Sequence, residues 1–414
     1  MVNFYIDPSF FWQAALAIVL FRTLAPLLPA WGRQGLLLIL SAFFLSELAN
    51  FSTFAIPLAV LVLAVVGFGQ LLARAPGWAK WALVGSACIV AAGAMVVHRY
   101  PSLLAFVGLT RTPLAHVHGV RWIGLSYLAI KAIDYCLAVQ SDRMAQDQRR
   151  LGWWAGAAYL VFFPGFVEGP INRFGAYVAE QTQPWPRLTW HRLAGNLRRI
   201  AIGLVKLLAF APLAQACSIR GPGFRYSDQI SLLALSGAVY WFYLYRYWLF
   251  SGYCDVAIAL ADFFDVRLPE NFDYPIFASG PQDFWNRWHI SLSHWMRDVV
   301  FFRLLRLILK RLPRVPDLAA AMFSMFVTFV LVGVWHDAGL NWFLWGGLQG
   351  LALCLELAYR SLMETFWPDL YERLVESRAY RLTCVLATFN FVAWGLLLTR
   401  PLPALQEMAG RLTW

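Results

Sequence analysis

Two polar segments that carry histidines interrupt a strongly apolar chain, and they hold the residues best suited to chemistry. The first segment reads DFWNRWHISLSHWMRD and contains His289, and the second reads GVWHDAGLNWFLWG and contains His336. Ionisable side chains at membrane depth cost free energy, so they tend to mark functional pathways. Imidazole has an unperturbed pKa of about 6.5, and burial keeps it neutral, which suits a general base. His336 and His289 are therefore the predicted catalytic residues.

The two histidines differ in their sequence surroundings. His336 follows an apolar run from Leu318 to Val334 and precedes a second apolar run after Gly339. It has no surface helix to lie on, and its position suits proton abstraction. His289 lies in a segment, beginning at Gln282, that is predicted to form one helix with charge and aromatic rings on all sides. Such a helix fits the lining of a wet cavity or the membrane interface.

Spacing within this segment predicts specific pairs. Asp283 and Arg287 are four residues apart, as are His294 and Asp298, so each pair lies on one helical stripe. His289 and Ser293 have the same spacing, although a serine in a membrane helix often only satisfies a backbone carbonyl.

The composition is that of an integral membrane protein. Of the 414 residues, 60% are hydrophobic and only 14% are charged, whereas soluble domains have about 25% charged residues. The net charge of +11 comes from short Lys and Arg clusters between apolar runs. This pattern favours cytoplasmic loops over a nucleic-acid-binding surface.

Several functional classes lose their usual sequence support. The six cysteines lie scattered in apolar stretches without a CxxC pair, so neither a disulfide framework nor a thiolate metal site is predicted. The H-x-H of His116 and His118 has no carboxylate nearby, and no metal site is predicted there. The chain lacks a G-x-S-x-G, an H-E-x-x-H and a phosphate-binding glycine loop, which disfavours hydrolases, zincins and ATP-driven pumps.

Apolar runs long enough to cross a hydrocarbon core of about 30 Å predict an all-α, polytopic protein with about eleven spans. The predicted spans are Phe10–Leu28, Gly35–Ala49, Phe51–Ala73, Trp81–Val97, Trp122–Val139, Gly152–Val167, Ile200–Cys217, Leu232–Phe250, Leu318–Val334, Trp342–Ala358 and Leu382–Leu398. Several are short or contain Gly and Pro, and Ser251–Phe264 is only half apolar, so some helices are expected to be re-entrant or interfacial.

No linker or repeat divides the chain, so residues 1–414 are predicted to form a single membrane-embedded domain. Within it we distinguish N-terminal spans (1–120), a motif-bearing core (121–358) and a C-terminal loop with the last span (359–414). Two basic clusters, one from Arg303 to Arg314 and one from Arg360 to Arg381, predict cytoplasmic loops. The basic stretches in the middle of the chain break a regular alternation, which predicts a helix that enters and leaves on the same side.

At this point the residues resemble a known family. FSGYCDVAIALADFFDVRLPENFDYP, DFWNRWHISLSHWMRD and GVWHDAGLNWFLWG resemble the membrane-bound O-acyltransferases, in particular the bacterial alginate O-acetylases and lipoteichoic-acid D-alanylation transferases. GLSYLAIKAIDY and FFPGFVEGPINRF agree with this family too. The match runs from about Gly124 to Ala358, and the first hundred residues match only as apolar spans.

The resemblance implies a fold with a central funnel or tunnel and transfer of a small acyl group, D-alanyl or acetyl. The donor would be a cytoplasmic thioester, either a phosphopantetheinyl carrier protein or an acyl-CoA, with no bound cofactor. The acceptor would be a hydroxyl of an extracytoplasmic envelope polymer, and the location the bacterial cytoplasmic membrane. An extracellular acyl-passing partner is also implied. His336 matches the family's near-invariant histidine, and His289 matches its second one. The resemblance further implies a substrate channel lined by Asp283, Trp285, Asn286, Arg287, Trp288, Ser293 and Asp337.

Two departures and one likeness refine this expectation. Asp337 follows His336 where the family usually has glycine, and Cys254 replaces a serine. After RDVVFF the chain continues as RLLRLILKR, which is more similar to the D-alanylation branch. There Phe302, Arg303, Leu305 and Arg306 are predicted to dock the acidic carrier protein. An ordinary cytoplasmic loop helix explains the same residues equally well.

A polytopic transporter or flippase is the alternative function. About eleven spans with broken helices and polar midplane residues could also provide alternating access. Against it, the two halves of the chain show no internal repeat, and the polar residues are concentrated in one region. A purely structural scaffold gives no reason for Asp283, Arg287, His289 and His336.

Overall fold

A computed structural model of the chain describes residues 4–48, 51–74, 124–140, 146–182, 188–221, 224, 230–337, 339–410 and 412–413. These residues are almost wholly helical, which confirms the predicted all-α class. The chain divides into two compact units, one formed by Met1–Leu204 with Gly252–Pro269 and the other by Val205–Ser251 with Glu270–Trp414. The domain boundaries placed at residues 120 and 358 stay predictions.

The described helices before residue 206 are α1 (Pro8–Leu24), α2 (Ala30–Leu48), α3 (Phe51–Arg74), α4 (Leu125–Gln140), α5 (Gln146–Val161), α6 (Phe163–Phe166), α7 (Phe174–Gln181) and α8 (Trp190–Val205). A π-helical turn, Lys206–Phe210, joins α8 to α9 (Ala211–Cys217). Short 3-10 turns at Phe4–Ile6 and Ala25–Leu27 flank α1.

The remaining helices are α10 (Leu232–Phe263), α11 (Pro281–Arg287), α12 (Ile290–Met296), α13 (Phe302–Arg311), α14 (Asp317–His336), α15 (Leu340–Phe366), α16 (Pro368–Glu376), α17 (Arg378–Gly395) and α18 (Leu402–Ala409). A π-helical turn, Arg297–Phe301, joins α12 to α13, and 3-10 turns lie at Pro275–Phe277 and Leu396–Thr399. Two short parallel strands, β1 (Ile230–Ser231) and β2 (Leu412–Thr413), pair with each other.

Four stretches in the described part of the chain are long and apolar enough to cross a membrane: Pro8–Leu27, Trp190–Cys217, Asp317–His336 and Arg378–Thr399. They contain or overlap the predicted spans that begin at Phe10, Ile200, Leu318 and Leu382. Shorter apolar helices at Ala30–Ser46 and Leu58–Leu72 correspond to two further predicted spans. The protein is thus a multi-pass membrane protein, and the total of eleven spans stays a prediction.

Two predicted spans differ from the structure, and a third cannot be compared with it. The prediction that Leu232–Phe250 ends before a half-apolar segment was wrong, because α10 continues through Ser251 to Phe263 without a break. The predicted span Gly152–Val167 is interrupted at Phe162, because α5 ends at Val161 and the short helix α6 begins only at Phe163. The predicted span Trp81–Val97 lies outside the described residues, as do His116 and His118.

In the first unit, aspartates of the motif stretches pair with arginines. Asp134 of GLSYLAIKAIDY accepts a hydrogen bond from Arg173 at 2.8 Å. Asp265 of FFDVRLPENF binds Arg22 at 2.9 Å and Arg192 at 2.7 Å. Partly buried carboxylates need such partners, so these motif residues have a structural role in stabilising the first unit.

In the second unit, α14 and α15 form an antiparallel hairpin whose backbones approach closely at two glycines. A Cβ atom at Gly346 would lie 2.5 Å from the Phe329 carbonyl oxygen, and one at Gly333 would clash with the Trp342 carbonyl oxygen. Only glycine permits this approach. The crossing places His336, the last residue of α14, beside the first turns of α15.

Candidate functional site

His289 lies at a break between two short helices, which corrects the prediction of one continuous helix from Gln282. α11 ends at Arg287, Trp288 is extended and bridges Phe272, and His289 is left-handed with φ 46° before α12 begins. The cause is tertiary. The Asn271 carbonyl oxygen accepts the Ile290 N–H at 3.1 Å, in place of an intrahelical hydrogen bond. Histidine is one of the residues that tolerate this conformation.

Asn271 also determines which nitrogen of His289 carries the proton. Its Oδ1 atom accepts hydrogen bonds from the Ser291 N–H at 3.1 Å and from Ser291 Oγ at 2.8 Å. His289 Nδ1 lies 3.2 Å from the same Oδ1. Because Oδ1 is an acceptor, Nδ1 must donate, and in neutral imidazole Nε2 then holds the lone pair. Asn271 is 1% exposed and His289 is 2% exposed, so water does not compete for this arrangement.

Burial also fixes the charge of His289. It lowers the pKa of this imidazole well below its usual value, and the positive charge of His336, when protonated, lowers it further. His289 is therefore neutral near neutral pH, with its proton on Nδ1. Such a group can accept a proton or a hydrogen bond at Nε2.

His336 lies in an aromatic cluster formed with Trp335, Trp342, Trp345 and Trp285. Its ring stacks on Trp342 at 5.0 Å and meets Trp345 edge-on at 5.8 Å. Trp335 lies 4.8 Å from His336 and 6.3 Å from His289, measured between ring centroids. The structure thus brings both predicted catalytic histidines into contact with the same indole, that of Trp335.

Asp337 occupies the position where the resemblance leads us to expect glycine, and the structure explains why a side chain is accepted there. Its backbone is extended, with φ −161° and ψ 141°, and its N–H donates to the Gly333 carbonyl at 3.1 Å. Any residue adopts this conformation without strain. The half-buried carboxylate directly follows the candidate base in the chain.

The tryptophans and charged residues of α11 point to different surroundings. Trp285 joins the aromatic cluster through Trp345, at a centroid distance of 5.8 Å, and its Nε1 donates to Gln349 Oε1 at 3.3 Å. Trp288 stacks on Phe284 at 5.6 Å. These tryptophans therefore form walls near the histidines.

Asp283 and Asn286 instead line a separate cavity of about 510 Å³. Its lining comprises Ser279, Gly280, Pro281, Gln282, Asp283, Asn286, Glu356, Tyr359, Arg360, Tyr371, Val375, Tyr380, Arg381, Cys384, Ala387 and Thr388. Neither His289 nor His336 is among the described residues that line this cavity. The predicted ion pair between Asp283 and Arg287 is present at 2.7 Å. The structure thus does not bring these polar side chains of α11 together with the histidines.

The Ser293 side chain faces a backbone carbonyl, as a serine in a membrane helix often does. Its Oγ lies 3.5 Å from the Trp288 carbonyl oxygen, and its N–H donates to the His289 carbonyl at 3.0 Å. Because His289 is not helical, the shared stripe predicted for these two residues does not form. Ser293 stabilises the start of α12.

The predicted docking residues Phe302, Arg303, Leu305 and Arg306 all lie on α13, which has no buried residue. Phe302 is 42% exposed, and Arg306 Nε donates to its carbonyl oxygen at 3.0 Å. An exposed helix with apolar and basic residues is suited to a membrane surface or to an acidic partner.

Sequence reasoning missed three residues of the site: Asn271, Trp345 and Gln349. Asn271 stands in the quoted stretch RLPENFDYP and Trp345 in NWFLWG, so the motifs contained them. Their roles depend on contacts across 18 residues for Asn271 and His289 and across 64 residues for Gln349 and Trp285. Periodicity within one helix carries no signal of such contacts.

Comparison with known proteins identifies the class to which this fold and site belong. Residues 116–394 match the model of the membrane-bound O-acyltransferase family, and the chain belongs to that family.

Relatives within the family act on bacterial envelope polymers. The teichoic acid D-alanyltransferase of Bacillus subtilis is 26% identical over 281 residues, covering 67% of this chain and 68% of the relative. The peptidoglycan O-acetyltransferase of Helicobacter pylori is 30% identical over 243 residues, covering 58% and 42%. A probable alginate O-acetylase of Azotobacter vinelandii is 28% identical over 256 residues, covering 60% and 47%. The chain thus matches less than half the length of the two O-acetylating relatives.

These findings confirm the predicted family and the predicted enzyme class. The protein is a membrane-bound acyltransferase, and its relatives include both D-alanyl- and O-acetyltransferases. The transporter alternative gains no support from the family match.

The neutral, buried state of His289 predicts a specific pH dependence of stability. Unfolded histidine takes up a proton below about pH 6.5, whereas folded His289 resists protonation. Its contribution is therefore complete above that pH and is lost as pH falls towards the lowered folded pKa, with a slope of about 1.4 kcal/mol per pH unit. The Tm of detergent-solubilised protein should fall more steeply on acidification than that of the His289→Asn variant.

Asparagine at position 289 keeps an amide N–H for Asn271 but does not titrate. The control is His294→Asn, because His294 lies exposed on α12 and its loss should leave the slope as in the unaltered protein. Equal slopes for the unaltered protein and His289→Asn would contradict the assignment.

Proposed function

We propose that this protein transfers a small acyl group, D-alanyl or acetyl, from a cytoplasmic thioester donor to a hydroxyl of an extracytoplasmic envelope polymer. It would act in the bacterial cytoplasmic membrane, through a funnel or tunnel in the protein. The observation that carries the proposal is the pair of imidazoles in contact with one indole, Trp335, inside a largely aromatic environment. Relatives that modify teichoic acid, peptidoglycan and alginate support the class of acceptor.

In the proposed reaction His336 is the general base. It takes the proton of the acceptor hydroxyl while the hydroxyl oxygen attacks the thioester carbonyl carbon. The carbonyl electrons move onto oxygen, and they return as the carbon–sulfur bond breaks. The proton held by His336 then goes to the departing sulfur, so that an ester and a free thiol are the products.

His289 has a different proposed role. Its Nδ1 is held by Asn271 at 3.2 Å, so its Nε2 has a fixed direction and a lone pair. A neutral acceptor of this kind can orient the substrate hydroxyl by accepting its hydrogen bond. Because it is buried more deeply than His336, we assign it to positioning and not to proton transfer.

The aromatic walls support the chemistry by excluding water. Trp285 and Trp345 are 6% and 5% exposed, and water that entered would hydrolyse the thioester. Holding donor and acceptor in one dry site also supplies proximity. Trp288 would form part of the same wall, beside His289.

The donor would reach the site from the side of the basic loops. α13 carries the predicted docking residues Phe302, Arg303, Leu305 and Arg306, of which Phe302 and Arg306 are exposed. These residues would dock a small acidic carrier protein whose phosphopantetheine arm holds the acyl thioester. An acyl-CoA is the other donor consistent with the proposal. An extracytoplasmic acyl-passing protein is a further proposed partner.

The proposal is tested by measuring esters on purified envelope polymers, by mass spectrometry, in cells with and without the gene. Loss of one D-alanyl or acetyl ester on deletion, and its return on complementation, is the expected result. The mass of the ester identifies the acyl group and the polymer fraction identifies the acceptor. Unchanged ester content in every polymer would refute the proposal, and changed polymer export without an ester difference would point to transport.

A further inference from the structure

The Trp345 indole N–H is a buried hydrogen-bond donor inside the aromatic cluster. Trp345 is 5% exposed, and its Nε1 atom has no hydrogen-bond partner among the described residues. An indole N–H can only donate. Leaving such a donor unsatisfied costs about 1–3 kcal/mol, and an acceptor that occupies this position in the working enzyme would remove that cost.

The neighbouring tryptophan shows that the cluster can satisfy an indole when the fold alone requires it. Trp285 packs on Trp345 at 5.8 Å and donates its own N–H to Gln349 at 3.3 Å. Both rings are buried in the same cluster. Of these two tryptophans, it is Trp345 whose ring contacts His336, at 5.8 Å and 87°. The unsatisfied N–H is thus the one beside the candidate base.

We propose that the Trp345 indole N–H donates a hydrogen bond to the carbonyl oxygen of the acyl thioester. This inference rests on the proposed acyl-transfer function and assigns a further catalytic residue within it. When the acceptor hydroxyl attacks, the carbonyl π electrons move onto that oxygen, which becomes an oxyanion. The hydroxyl proton moves to His336. A fixed N–H in a dry site stabilises the oxyanion more than the starting carbonyl.

The acceptor hydroxyl is a poorer partner for this N–H. A hydrogen bond donated to the hydroxyl oxygen would withdraw the electron pair that must attack, and His336 needs that oxygen's proton, not its lone pair. The thioester carbonyl gains charge during the reaction, whereas the hydroxyl oxygen becomes neutral ester oxygen. The chemistry therefore assigns Trp345 to the donor and His336 to the acceptor.

The first test replaces Trp345 with phenylalanine, or with 3-benzothienylalanine, which keeps the shape of indole and lacks the N–H. With purified protein in vesicles, kcat should fall on the order of 100-fold while the KM for the thioester changes little. Removing an unsatisfied buried donor should not lower Tm for the isosteric variant. A merely structural role would instead lower Tm and leave kcat per folded protein unchanged.

Trp295→Phe is the matched control. Trp295 is 3% exposed and its Nε1 also has no partner among the described residues, but it lies on α12 and outside the aromatic cluster. Its replacement should leave kcat within a few-fold of the unaltered protein, a change well below the loss for one oxyanion donor. An equal loss in both variants would overturn the assignment to Trp345.

A donor analogue gives a second readout. Replacing the carbonyl oxygen of the thioester with sulfur weakens its capacity to accept a hydrogen bond. The unaltered enzyme should therefore discriminate against this dithioester more strongly than Trp345→Phe does. Equal discrimination, or an unchanged kcat in the isosteric variant, would overturn the inference and leave the proposed function intact. Absence of transfer by the unaltered enzyme with every donor would overturn the proposed function, and the inference with it.

Discussion

The His336→Gln variant is expected to lose acyl transfer by between about 100-fold and 10,000-fold, the range that general acid–base catalysis contributes. Glutamine fills a similar volume and keeps hydrogen-bonding capacity, but it cannot take the hydroxyl proton. The His336 ring contacts Trp342 and Trp345, and a glutamine side chain of similar volume can still pack against these two rings. The variant protein should therefore remain in the membrane. The measurement is ester formation and thiol release by reconstituted protein, with the membrane level checked by immunoblot.

Two companion variants separate catalysis from folding in this experiment. His294→Gln removes an exposed histidine of α12 and should leave transfer unchanged. His289→Asn keeps an N–H towards Asn271 and loses the Nε2 lone pair, so its loss should be smaller than that of His336→Gln if it positions the acceptor. Transfer by His336→Gln at the rate of the unaltered protein would show that another group removes the proton.

Both histidines could be selected from the sequence as candidate site residues. An ionisable side chain between apolar runs costs free energy in a membrane protein, whatever the details of its fold. The helices α14 and α15 were likewise predictable, since each contains a long apolar run flanked by polar residues. The break at Trp288 and His289 was not. The helical pattern around it is strong, and the hydrogen bonds that interrupt it come from Asn271, 18 residues earlier.

The different surroundings of the two faces of α11 could not be predicted from the sequence either. Periodicity predicts which residues share a stripe, but it does not say what each stripe meets. Trp285 meets the cluster around His336, whereas Asp283 meets a cavity lined in part by Tyr359 and Tyr380 of α15 and α17. Whether a buried donor such as the Trp345 indole N–H finds an acceptor depends on contacts between distant parts of the chain, and a sequence pattern does not contain them.

The Gly346→Ala variant should lower both stability and transfer, because the new methyl group would lie 2.5 Å from the Phe329 carbonyl oxygen. Backbone cannot move aside as a flexible side chain can, so α15 must shift away from α14. Overpacking of this kind costs about 1–3 kcal/mol. Since Trp345 precedes this glycine and His336 lies at the end of the other helix, a shift of about 1 Å can reduce the rate on the order of 100-fold.

Gly347→Ala is the control, in the adjacent residue of the same helix. A Cβ there would have as its nearest neighbour a ring atom of Phe326 at 3.9 Å, an ordinary contact. Alanine favours helix over glycine by about 1 kcal/mol, so this variant should equal or exceed the unaltered protein in Tm, measured by intrinsic tryptophan fluorescence, and retain its rate. Equal tolerance of both alanines would show that the close approach of α14 and α15 does not position His336 against Trp345. The rigidity required of an oxyanion donor would then have to come from other contacts in the aromatic cluster.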